Sequence, residues 1–494
     1  MRELQLAFIS NRSTKRIFRI LNVIERERLV TNGELAESLN VTQRTIANDL
    51  KFIKDYFHES ISLFSGYNGF QFIEKNPSLY QERKQSLLEN ECLFEIVGNI
   101  FKGRLSQIGE LAHHYHFSES SFRRIFEQST PILNSYGLKW VSNPLNIEGS
   151  ESDLRKFFKD FYYEGVQTIF TLTPGPELHE LILKSLKGKL GSYELGSGTT
   201  PSAFYYTFYI AIMRSSLGFN ISVPNELAQL AYQGGNFSLL YSLKEGIEKI
   251  YGVKLSKEEF AWVYLVTVCK RTLDREDQEQ LFYQQFNQGK EIAQLTDDFL
   301  KELEISKSSY GKVSVFLRAF FLSRRINYLL SPVLNKEAED VKEAIIQGNS
   351  QNYQRNLRFL MEKKDMFSLP SEATQYLEDV GVSLTIYSGL ILDLYSPTKT
   401  IYFLLEGDHF ICQQIRTRAI QQFGDKHSLT FLPLQSLTKE EINAAYIDLI
   451  VTNYSRYLLD YIKETDYVLL KAVPDEQEWQ KLERKIDPYR TTFF

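Results

Sequence analysis

Shifted by 76 residues, the stretch RLVTNGELAESLNVTQRTI (28–46) falls on RLSQIGELAHHYHFSESSF (104–122) without a gap. Gly33-Glu34-Leu35-Ala36 lands on Gly109-Glu110-Leu111-Ala112, and the upstream stripe Ile17, Ile20, Leu21, Ile24 lands on Leu93, Ile96, Val97, Ile100 at helical spacing. Whatever the first stretch folds into must therefore form twice, in tandem.

In the first copy Thr31 and Glu34 stand in capping-box spacing ahead of a short helix carrying Leu35, Ala36 and Leu39. Asn40-Val41-Thr42 breaks that helix and caps a longer one, from about Thr42 to Tyr56. Ile46, Leu50, Ile53 and Phe57 turn inward at three- and four-residue steps, which leaves Gln43, Arg44, Thr45, Asn48 and Lys51 outside, with Lys54 a further phosphate contact. These side chains suit base edges and phosphates in a major groove. A solvated face on a plain helical hairpin is the competing reading, and for one copy the two weigh equally. Duplication favours the helix-turn-helix.

In the second copy Ser118 caps the matching helix, with Glu119, Ser120, Ser121, Arg123 and Arg124 exposed and Phe122, Ile125 and Phe126 in the core. Arg123 and Arg124 are its phosphate or guanine contacts. The cluster His113, His114, His116 has neither a cysteine nor a nearby carboxylate to complete a metal site, so solvated or phosphate-facing histidines are expected, and no metal or cofactor. Each recognition helix is followed by a candidate hairpin, ISLFSGYNGFQFIE (61–74) with an Asn68-Gly69 turn and GLKWVSNPLNIEG (137–149) turning near Asn143-Pro144. Two winged helix-turn-helix units, 1–75 and 76–150, are the economical reading.

A net charge of −5 and a pI near 6.0 require any DNA surface to be local. With 494 residues, 43% of them hydrophobic, about three domains or more are expected. The apolar runs at 204–213 and 261–269 are too short to span a bilayer and the opening MRELQLAFIS lacks a signal-peptide core, so a soluble cytoplasmic protein is expected. Cys92, Cys269 and Cys412 form no CxxC pair and read as buried, reduced thiols.

From about Glu151 the sequence is aromatic-rich helix to about Leu392, with a break at 191–202 and a helix buried all round at Phe204–Met213. Further helices are expected at Ser256–Thr272, Val313–Leu330, Glu337–Gln347 and Gln351–Lys363. No glycine-rich phosphate loop, Ser-His-Asp order or paired carboxylates stand out, so no catalytic residue is assigned. After Ser396-Pro397 the period changes: strand 400–405, helix Phe410–Phe423, strand 429–434, helix Lys439–Ala445, strand 448–453, strand 467–473, helix Glu476–Lys485, hence a small parallel sheet flanked by helices.

Tandem winged helices carrying the paired GELA motif, a long helical region and a C-terminal α/β domain resemble the Mga and AtxA type of transcriptional regulator. The resemblance implies a multidomain, mainly α protein with two all-α phosphotransferase-system regulatory domains (PRDs) at 151–283 and 284–395 and an enzyme IIB-like α/β domain at 396–494. It further implies a homodimer or higher oligomer bound to double-stranded DNA, controlled by carbohydrate status through a phosphotransferase-system phosphocarrier, with no membrane partner and no enzymatic activity. Thr207 and Val266 stand where a first PRD would carry histidines, the segment 316–326 has none, and Glu406-Gly407-Asp408 replaces a IIB cysteine, with Cys412 inside the next helix. His179 is then the fallback phosphosite. The alternative is a phosphotransferase-system-linked RNA antiterminator or phosphocarrier protein.

Overall fold

The computed structural model describes the chain except residues 28, 67–68, 187–197, 304–308, 349, 368–373, 433–437, 464 and 488–494. The chain forms two compact units: Met1–Gln288 with Leu322–Asp340, and Gly289–Phe321 with Val341–Phe494. Both are mainly helical, and among the described residues no helix is long and apolar enough to cross a membrane.

In the first unit the repeat folds as expected, each copy giving three helices and a hairpin. The helices are Arg12–Arg26, Asn32–Ser38 and Gln43–Phe57 in the first copy and Cys92–Phe101, Ile108–His114 and Glu119–Glu127 in the second. The hairpins are β1 (Ile61–Gly66) with β2 (Gly69–Glu74), and β3 (Lys139–Ser142) with β4 (Leu145–Glu148), both antiparallel. Gly69 opens β2 at φ 126°, where a Cβ would come within 2.6 Å of the Val30 carbonyl, so only glycine fits. Asn68 of the expected turn, like Arg28 at the start of the repeat, lies outside the described residues.

One hydrophobic core runs through both copies and on into the Glu151–Tyr163 helix, which adds Phe157, Phe158, Phe161 and Tyr162. The expected break at 191–202 is corrected at its far end: Thr200 caps the Pro201–Ser216 helix, because proline at the first helical position has no N–H to leave unpaired. Residues 191–197 of that break are outside the described set. The helix expected at Ser256–Thr272 is Lys257–Val268, with Ser256 as its cap.

The second unit carries the helices Ser350–Glu362 and Thr374–Tyr395, and a parallel sheet in the order β6-β5-β7-β8. The strands are β5 (Thr400–Leu404), β6 (Ser428–Phe431), β7 (Leu449–Thr452) and β8 (Tyr467–Leu469). Alternation along β5 sends Ile401 and Phe403 to one core with Ile415, Phe423 and Trp479, and Tyr402 and Leu404 to another with Ile442 and Ile447. The edge strands β6 and β8 are shorter than expected, and residues 433 and 434 of the first lie outside the described set. The Lys439–Ala445 helix ends at Ile442.

Candidate nucleic-acid interface

The turn between supporting and recognition helix is built alike in both copies. Asn40 and His116, 76 residues apart, both adopt left-handed backbone, at φ 51° and 59°. At each, two reverse hydrogen bonds close the helix end: Asn40 N–H to Glu37 O (3.2 Å) and Val41 N–H to Ala36 O (3.0 Å), and His116 N–H to His113 O (3.2 Å) and Phe117 N–H to Ala112 O (2.8 Å). This is the Schellman closure, with asparagine or histidine where glycine is usual. His116 is thus committed through its backbone to the turn. Two residues on, Thr42 and Ser118 cap the recognition helices, accepting from Thr45 N–H and Ser121 N–H at 3.2 Å each.

The supporting helices start alike too. Thr31 N–H and then the Thr31 hydroxyl donate to the Glu34 carboxylate at 2.7 and 2.8 Å, which holds that carboxyl below the usual range, and Glu34 N–H donates back to the Thr31 hydroxyl at 3.2 Å. Gln107 N–H donates to Glu110 at 3.1 Å. A Cβ on Gly109 would meet the Glu119 carboxylate at 2.9 Å, so the small residue of each GELA motif leaves room for the first side chain of the recognition helix.

At about 100° per residue, Arg44, Asn48 and Lys51 share the stripe of the first recognition helix opposite Ile46, Leu50 and Ile53. All three are exposed, as are Gln43 and Lys54 on the flank, while Thr45 is half-buried with its hydroxyl 2.9 Å from that of Thr42. Buried Asp49 fastens the helix to the Arg12–Arg26 helix: Arg16 donates to both carboxylate oxygens, one at 2.9 Å, and the pairing raises the guanidinium pKa. Exposed Phe52 stacks on Tyr56.

In the second recognition helix the matching stripe reads Ser120, Arg124, Glu127. Ser118, Ser120 and Ser121 are exposed, and the Ser118 hydroxyl lies 2.9 Å from that of Ser121. Arg123, expected to be exposed, is half-buried because it sits only about 100° from Phe122, whereas Arg124 points away and is exposed. Here the helix ends after 9 residues and a separate helix of 6 begins at Thr130, whereas the first copy runs 15. Pro131 offers no N–H to carry the helix across, and Ser129 instead donates to the Phe126 carbonyl at 2.7 Å while accepting from the Trp140 indole at 3.0 Å.

Of the candidate sensor positions, two share a recess and the others stand elsewhere. His179 is exposed on the Pro176–Leu186 helix, edge-on to Tyr205 at 4.9 Å. Thr207 and Val266 are both buried and line one recess. Asp408 caps the helix after β5, accepting from Phe410 N–H at 2.9 Å, and Glu406 takes the Tyr457 hydroxyl. Cys412 is half-buried where burial was expected, because it stands in the exposed first turn of that helix; partial burial, then Glu406 and Asp408, push its thiol up. Cys92 and Cys269 are buried, and no cysteine pairs. Among the described residues no three His, Cys, Asp or Glu side chains converge as for a metal ion.

Residues 79–162 match the Mga helix-turn-helix domain, a span that takes in the helices and hairpin of the second copy and all but the last residue of the Glu151–Tyr163 helix packed on it. Over 493 residues the chain is 21% identical to the capsule synthesis positive regulator AcpB of Bacillus anthracis, covering 96% of this chain and 98% of that one. It is 28% identical over 183 residues to a protein of Streptococcus pneumoniae named as a trans-acting regulator, covering 36% of this chain and 37% of that one. It is also 26% identical over 148 residues to the capsule synthesis positive regulator AcpA of B. anthracis, covering 29% and 30%.

Proposed function

We propose that this chain is an Mga/AtxA-type DNA-binding transcriptional regulator that binds duplex DNA through its two helix-turn-helix copies. The observation that carries the reading is the coincidence of the Mga helix-turn-helix match with a copy whose capped twin lies 76 residues upstream. In this reading Arg44, Asn48 and Lys51 face the groove from the first copy, with Gln43, Thr45 and Lys54 beside them. Arg124, Ser118, Ser120 and Ser121 do so from the second, and half-buried Arg123 reaches a phosphate from the flank. No catalytic role is assigned.

The five-domain division, the PRD and enzyme IIB likeness and the homodimer are further parts of the proposal. A dimer places four reading helices on one duplex and so gains affinity without new contacts per copy. With Thr207 and Val266 at the expected histidine positions, control by oligomerisation or ligand is favoured over phosphorylation, and His179 is the fallback phosphosite.

Titrating the full-length protein against duplex DNA from its own upstream region, a hairpin RNA and a phosphocarrier donor tests the reading. Salt-sensitive binding to the duplex alone is expected. Preference for the RNA, or transfer of phosphate to the protein with no DNA binding, would replace it with the antiterminator or phosphocarrier alternative.

A further inference from the structure

The Glu151–Tyr163 helix turns Phe157, Phe158 and Phe161 into the helix-turn-helix core, and Arg155, Lys156 and Lys159 into a recess bounded also by Thr207, Trp262 and Lys270. The recess is narrow, and the empty space in and in front of it, open solvent included, comes to about 380 Å³.

The charges around it are nearly all matched. Arg155 donates to Glu259 at 2.5 and 3.1 Å and to Glu151 at 2.9 Å, and Arg214 holds Glu151 from the other side at 2.7 Å. Lys156 grips Asp160 at 2.6 and 2.8 Å. Lys270 and Arg324 share Glu337; burial alone would raise that carboxyl, but the two cations outweigh it and hold it well below the usual range.

Lys159 is the exception. It is 9% exposed, its ammonium lies 5.7 Å from the centre of the Tyr163 ring, and no described carboxylate accepts a hydrogen bond from it. Burial, then the neighbouring charges of Lys270 and Lys156, push it down to about 7, against the smaller pull of Asp160 and Glu337. Cations thus outnumber carboxylates in a place sheltered from water, an arrangement that is costly unless an anion enters or the lysine gives up its proton.

We propose that the recess is a binding site for a compact phosphate-type anion, either inorganic phosphate or the phosphoryl head of a small metabolite, received by Lys159 between Lys156 and Lys270. Ammonium groups lining one recess from two elements suit a dianion with oxygens on every side better than a flat, singly charged carboxylate. The helix that supplies Arg155, Lys156 and Lys159 also completes the core beneath the second recognition helix, so an anion bound here stiffens the part of the molecule that carries Arg123 and Arg124.

The test follows thermal unfolding of the full-length protein in phosphate-free buffer at neutral pH, titrated with potassium phosphate, glycerol 3-phosphate, glycerol, or potassium chloride at matched ionic strength. Expected is a saturable rise in melting temperature with the two phosphate probes and none with glycerol or chloride. A stronger response to glycerol 3-phosphate than to phosphate assigns the site to a phosphorylated metabolite, and an equal or weaker one to the free ion. Lys159→Met removes the unpaired charge while keeping an apolar stem, so it should melt higher than the parent without ligand and need about tenfold more phosphate, or more, to respond. If that variant does not fold, Thr207→Leu, which fills the recess with uncharged bulk, must blunt the response instead. A parent indifferent to both phosphate probes, or a folded variant that responds as the parent does, overturns the proposal. No DNA enters this measurement, so its failure is separate from failure of the DNA-binding assignment.

Discussion

The two helix-turn-helix copies share their turns and differ in their reading helices. Both keep the reverse-bonded helix end at Asn40 or His116 and the cap two residues on at Thr42 or Ser118. Yet the outer stripe of the first copy, Arg44, Asn48 and Lys51, becomes Ser120, Arg124 and Glu127 in the second, and the Arg16–Asp49 pair becomes Cys92 and Ile125. The first helix runs 15 residues, about 22 Å, with its cations spread along it; the second runs 9, about 13 Å, with both arginines at one point. Duplication has preserved the joint that aims a helix and released the surface proposed to read DNA, so in that reading the first copy is the better suited to follow a groove and the second to pin a backbone.

The largest effect should come from moving the break. Asp55→Pro puts into the first copy the proline found at the matching position, 131, and should cost about 3 kcal/mol or more in denaturant unfolding. Pro131→Ala in the second copy should cost less than about 1 kcal/mol, since that helix already ends there. Equal costs would mean that the two helices end for the same reason and would dissolve the contrast.

Next is the fastening of the first reading helix. Asp49→Ala leaves Arg16 without its acceptor and should cost about 1–3 kcal/mol by the same measurement. Copying the apolar solution of the second copy, with Arg16→Met and Asp49→Ile together, should recover most of that loss, because a well-packed apolar pair can replace an ion pair.

On DNA, Arg44→Ala should weaken binding by about 1–3 kcal/mol and relax preference at one base if Arg44 is bidentate to guanine. Ser120→Ala, its counterpart, should change little. Anisotropy titrations on a panel of single-base variants decide this, and an Arg44→Ala protein that matches the parent on every duplex rules the assignment out.

Smaller still, Lys51→Gln and Lys54→Gln should each reduce the slope of log affinity against log salt by about one while weakening all sequences alike. Finally, Asn40→Gly and His116→Gly should each stabilise by less than about 1 kcal/mol, since glycine adopts the left-handed turn without strain. If only one of the pair gains, the turns are less alike than their hydrogen bonds suggest.

The tandem units were legible because their signals are local: a capping pair three residues apart, an asparagine between helices, apolar steps of three and four. The parallel sheet was legible for the same reason. Pro131 marks the end of the second recognition helix in the sequence as well, since it has no N–H to carry the helix on. Arg123 went astray because on so short a helix one residue's rotation separates the flank from the outer face. The matched charges of the helical region could not be read at all, since Arg155 meets Glu259 across 104 positions of sequence and neither looks unusual alone. Likewise nothing local says that Thr207 and Val266, distant in sequence, border one recess.

The Glu151–Tyr163 helix sets a limit on how this protein can be divided or recombined. A fragment ending at residue 150 keeps every side chain proposed to touch DNA but loses Phe157, Phe158 and Phe161, aromatic residues whose individual truncation costs about 3–5 kcal/mol in an ordinary core. Such a fragment should be insoluble, while one ending after Tyr163 has the aromatic floor it needs. A chimera that borrows these readers for another regulator must therefore bring the helix with them, and with it Arg155, Lys156 and Lys159. On these two proposals address and receiver would be inherited together, and lineages that exchange whole modules would be expected to join beyond this helix rather than before it.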